Sequence, residues 1–113
     1  MAALPRVIPA ARRADLVHCL CDYPFSLLAW LAGKAARRPV IVSGHGTYSV
    51  APFRYPLHRS LIRRSYGGAA AVLFGSDFAR DRFEAHCSLQ NVGVLDYGVD
   101  VSGFSRAAPP LSN

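Results

Sequence analysis

The chain has 113 residues, room for one domain with a modest core. At 51% hydrophobic, 11% aromatic and 18% charged, its composition fits a folded protein and argues against a disordered one. Its net charge of +6 is lopsided: residues 1–68 carry ten Lys/Arg against two acids, and the remainder three against five, which suits phosphate-bearing ligands, anionic lipid or nucleic acid without choosing among them.

Met1 to Arg13 holds prolines and arginines but no apolar central run, so it does not read as a secretory signal, and Arg12-Arg13 leads into Asp15 rather than an export segment. Asp15-Leu16-Val17-His18-Cys19-Leu20 reads as a short strand. Cys19 and Cys21 alternate along the chain and point to one face, a poor arrangement for a mutual disulfide. With three cysteines in all and no signal, a reducing compartment is favoured. A zinc site on His18, Cys19 and Cys21 lacks a second ligand pair at zinc spacing, so buried thiols are the better reading.

Pro24 to Arg37 follows as a helix, with Leu27, Leu28, Leu31 and Ala35 on one face, Arg37-Arg38 near its end and Pro39 as the stop. The longest nearly apolar stretch, Tyr23 to Gly33, is about half of the ~20 residues a membrane-spanning helix needs. Val40 to Ser43 is a second strand, ending in the glycine-punctuated loop Gly44-His45-Gly46-Thr47-Tyr48. Phe53 to Tyr66 reads as a helix with Leu57, Leu61, Ile62 and Tyr66 on one side and Arg59 and Arg63 opposite, closed by Gly67-Gly68. Ala69 to Phe74 is a third strand. Ser76-Asp77 caps a helix running to about His86, Val92 to Leu95 is a fourth strand, and Ala107 to Asn113 is a proline-rich tail.

Apolar strands alternating with helices predict an α/β fold, a Rossmann-like parallel sheet with helices on both faces, built from about four strands and three to four helices. Ligands of such sheets gather at the carboxyl ends of the strands. Gly44-His45-Gly46, Gly75-Ser76 and Cys21-Asp22 all fall at such ends. The two glycines admit a ligand close to the backbone amides and the imidazole, or they turn the chain while His45 caps the loop. Neither the dinucleotide fingerprint nor the P-loop is present, which leaves a nicotinamide enzyme or an NTPase without support.

In their order and spacing, the segments ADLVHCL, HGTY, GSDFARDRF and NVGVLDYGVDVSGF resemble the N-terminal domain of the family-4 type retaining glycosyltransferases, which have the two-domain GT-B fold. Asp15 to His18 matches a D-V-V-H strand, His45-Gly46-Thr47 a strand ending in histidine, Ser76 to Arg82 a serine before an arginine-bearing helix, and Asn91-Val92 with Gly98-Val99-Asp100 and Phe104 the closing motif. Tyr97 stands where the family often has Asn. Nothing before Asp15 resembles the family's first strands and glycine-rich loop, and the single glutamate, Glu84, leaves no paired-glutamate motif for a nucleotide.

The resemblance implies a partial, acceptor-side N-terminal domain over residues 1–105, with 106–113 as linker or tail. It implies a fragment of a hexosyltransferase-type enzyme, inactive alone, that moves a sugar from a nucleotide-sugar donor to an acceptor with retention, and it calls for no cofactor or metal. His45 then lies beside the transferring sugar as the catalytic residue. Gly44, Gly46, Thr47, Tyr48, Ser76 and Asp22 bind substrate, with the His45 ring and Ser76 facing one open cleft. Ser76 is also a good N-cap in its own right. Arg59 and Arg63, with Arg54 and Arg64, offer an anionic acceptor or an anionic membrane surface a basic face, or are simply solvated. The expected setting is cytoplasmic, with peripheral contact at the inner membrane face as a variant. No nucleic-acid motif is present. The competing readings are a non-catalytic α/β module for an anionic ligand or membrane surface, and a sugar-nucleotide epimerase of the same architecture.

Overall fold

A computed structural model describes residues 3–104; the tail from Ala107 to Asn113 and the boundary at 105 and 106 lie outside them. In chain order the elements are α1 (Leu4–Arg13), β1 (Val17–Cys19), α2 (Phe25–Ala36), β2 (Val40–Gly44), α3 (Thr47–Val50), a 3-10 helix (Ala51–Arg54), α4 (Pro56–Gly67), β3 (Ala71–Phe74), α5 (Asp77–Glu84), β4 (Val92–Val94) and α6 (Val101–Phe104). The four strands form one parallel sheet in the order β1-β2-β3-β4. This is the α/β, Rossmann-like arrangement that the alternation of elements predicts.

Register explains which residues make the core. Paired residues of parallel strands point to the same face, so Cys19, Val42 and Val72 align, as do Gly44 and Phe74. That face is buried, and it meets Ala29 of α2, Phe53 of the 3-10 helix, Ile62 and Tyr66 of α4, and Phe83 of α5. The Phe83 ring lies 5.2 to 5.8 Å from those of Phe74, Tyr66 and Phe53 and locks the cluster together. On the second face Ile41, Ala71 and Leu73 are only half-buried, and His18 of β1 places Nε2 2.9 Å from the Ser43 hydroxyl of the neighbouring β2. The deep core among the described residues is therefore one-sided.

Three helices, α1, α3 and α6, were not expected. Two prolines hide α1: Pro5 sits in the first turn, where no amide is needed, and Pro9 lies inside the helix. The helix predicted from Phe53 to Tyr66 is split. Tyr55 precedes Pro56 and is extended, at φ −112° and ψ 126°, because a residue before proline is pushed out of the helical region. The helix restarts at Pro56, and its buried stripe becomes Ile62, Ser65 and Tyr66, leaving Leu57 67% exposed rather than on the core side. No helix among the described residues is long and apolar enough to cross a membrane.

Candidate functional site

The loop after β2 is held from below by one carboxylate. Asp22, buried past the end of β1, accepts from the His45 backbone N–H at 2.9 Å and from the Tyr66 hydroxyl at 3.0 Å, and it accepts the Ser49 hydroxyl as well. Burial, and then the Asp22 charge, push the Tyr66 phenol well above its ordinary range, so it remains the proton donor of this pair. Sequence reasoning counted Tyr66 as core and did not single out Ser49. The legible signal was a tyrosine on a buried face, whose hydroxyl needs a partner.

This anchor aims the His45 ring. Its Nε2 lies 2.8 Å from the Leu20 carbonyl, which only accepts, so Nε2 carries the proton. In the neutral ring Nδ1 is then the acceptor, and the Tyr97 hydroxyl lies 3.3 Å from it, with the two rings stacked at 6.2 Å. The two glycines flanking His45 differ in their reasons. Gly44 is buried within β2, where a Cβ would run into the Phe74 ring. Gly46 faces open space but has φ +92°, a conformation that disfavours any side chain.

His45, Gly46, Thr47 and Ser76 line one cavity of about 280 Å³, completed by Phe78, Ala79 and Arg82 of α5. Ser76 caps α5, its hydroxyl oxygen accepting from the Ala79 N–H at 3.2 Å, which leaves the hydroxyl proton to donate. The expected cleft shared by His45 and Ser76 is thus present at the carboxyl rim. Gly44 forms the floor of the sheet and does not line it. Tyr48 and Asp22 border a second depression of about 340 Å³ on the other side of His45, with Leu20 and Phe25. Arg59 and Arg63 are exposed on α4 and line neither space; Arg63 donates to the His86 carbonyl at 3.2 Å.

Cys19 and Cys87 are buried, which raises both thiols above their usual range, and the Cys19 thiol donates to the Cys21 carbonyl at 3.1 Å. Among the described residues no group of three His, Cys, Asp or Glu side chains is placed to hold a metal ion.

The family model described as "Glycosyl transferase 4-like domain" matches residues 1–94. The chain belongs to this family. Its match begins earlier than the resemblance read from motifs, taking in α1, and ends before Gly98-Val99-Asp100. The β2 loop with His45 and the α5 N-terminus with Ser76 both lie inside the region that carries membership of this glycosyltransferase family. No curated protein matches the sequence.

Proposed function

We propose that the chain is the acceptor-side part of a retaining hexosyltransferase of GT-B architecture, which moves a sugar from a nucleotide-sugar donor to an acceptor. In this reading residues 1–105 form an incomplete N-terminal domain, residues 106–113 lead onward, and a second domain holds the donor, without which this chain does not turn over. The observation that carries the reading is the His45 ring, fixed at the sheet rim on a cavity shared with Thr47 and Ser76. Family membership favours it over an epimerase or a non-catalytic module.

The barrier in sugar transfer is the formation of an oxocarbenium-like carbon as a diphosphate leaves, and fixed dipoles beside that carbon lower it. The Leu20 carbonyl holds Nε2–H, leaving Nδ1 as the acceptor for a sugar hydroxyl in exchange for Tyr97. Ser76 donates its hydroxyl proton from the facing side of the cavity. Asp22 is committed to three donors of the chain itself, so we assign it to positioning rather than to nucleophilic attack. Among the described residues no carboxylate lines the His45–Ser76 cavity, which suits transfer better than a glycosidase mechanism with two carboxylates. A cytoplasmic protein with peripheral membrane contact through Arg59 and Arg63 is compatible with this role and forms part of the proposal.

The test is to supply the intact enzyme with a panel of nucleotide-sugars and a mixed acceptor extract, and to read the anomeric configuration of the product by NMR. Retention relative to the donor is expected. Inversion, or no transfer from any donor, would overturn the reading.

A further inference from the structure

Beside the His45 cavity lies a larger one of about 620 Å³, and its chemistry differs. Val50, Ala51 and Phe53 make an apolar floor, and Arg54, Arg82 and His86 make the rim. The His86 ring is fixed by stacking on Phe53, centroid to centroid 5.4 Å at 18°. Arg82 rests over the Phe78 ring at 5.8 Å. Among the described residues no carboxylate lines this space.

The acids of α5 do not compensate the rim. Asp77, Asp81 and Glu84 all pair with Arg80, at 2.7, 2.8 and 4.0 Å, and these are the ion pairs among the described residues. Arg54 and Arg82 are thus two guanidinium groups on one cavity with no ion-pair partner among those residues. Thr47 and Arg82 line both this cavity and the one that holds His45 and Ser76, so the two spaces adjoin.

Guanidinium forks suit phosphate oxygens, and an apolar floor suits the carbon face of a small polyol or the start of a lipid chain. We infer that this cavity binds a phosphate group carried by the acceptor, with Arg54 and Arg82 as its ligands and His86 beside them. A hydroxyl on the same molecule then reaches toward His45 and Ser76. The word acceptor rests on the glycosyl-transfer reading; the phosphate site does not. The bearer is either a soluble phosphate ester or a phospholipid headgroup, which present the same chemistry.

The experiment uses the 15N-labelled 113-residue chain, titrated in one arm with glycerol 3-phosphate and in the other with vesicles of phosphatidylglycerol in phosphatidylcholine. Saturable shifts of the Thr47, Arg54, Arg82 and His86 amides are expected in at least one arm, and the arm that responds identifies the source. Arg54→Gln and Arg82→Gln should each weaken binding by about tenfold or more, while Arg6→Gln on the exposed side of α1 leaves it unchanged. Arg54→Lys and Arg82→Lys, which keep the charge, should retain part of it and serve if a Gln variant fails to fold. No saturable shift in either arm, or equal loss with Arg6→Gln, overturns the site. Because binding is read without turnover, failure of the glycosyl-transfer reading leaves this result standing, and absence of binding leaves that reading standing.

Discussion

Asp22 and Tyr66 set the terms at the scale of single residues. The carboxylate is one of two acids among the first 68 residues, and it is buried against three donors. Asp22→Ala strands a phenol, a hydroxyl and a backbone amide, and is expected to cost about 3 kcal/mol. Tyr66→Phe removes one donor and should cost about 1 kcal/mol. Urea midpoints check both, and a midpoint unchanged in Asp22→Ala would contradict the anchor. The Tyr66 phenol also predicts a pH dependence. Burial, then the Asp22 charge, raise it above its ordinary 10.0, so the folded state keeps a proton that the unfolded chain releases. Its contribution is whole below about pH 10 and is lost as pH rises; the raised Cys19 and Cys87 thiols add the same slope from about pH 9. Unfolding free energy should fall in alkali, less steeply in Tyr66→Phe. Gly44→Ala places a methyl against the Phe74 ring and should cost about 1–3 kcal/mol, read as a lower Tm.

Among the elements, those carrying an apolar period were legible in sequence. Those decided by a single backbone exception were not. Leu27 to Ala35 and Val40 to Ser43 announce α2 and β2 within a residue or two of their observed ends. Pro56 broke a helix that its periodicity ran through, and Pro5 and Pro9 concealed α1. At the site, His45, Thr47 and Ser76 were readable because loops after parallel strands must meet at one rim. The Asp22 anchor joins residues 44 positions apart and left only the weak signal of a buried phenol. Arg37 marks a strained element end: it closes α2 at φ 56° and ψ 45°, a left-handed conformation that glycine adopts without cost. Arg37→Gly is therefore expected to raise stability by about 0.5–1 kcal/mol, measured as a higher urea midpoint. A lower midpoint would mean that the Arg37 charge at the helix end outweighs the strain.

For the whole molecule, strand order determines where the core lies. Four parallel strands in consecutive order gather their deepest side chains, Cys19, Val42, Val72 and Phe74, into one cluster with residues of α2, α4 and α5. The buried side supports the loop ends, and the rim it supports presents the pocket at His45 next to a more basic one at Arg54 and His86, with Arg82 shared between them. The central claim is that transfer depends on the imidazole fixed over that rim. The most direct measurement is the turnover number of the intact enzyme carrying His45→Ala, with folding checked by circular dichroism. A fall of about 100-fold or more with an unchanged fold is predicted. Turnover within a few-fold of the unsubstituted enzyme would contradict the account.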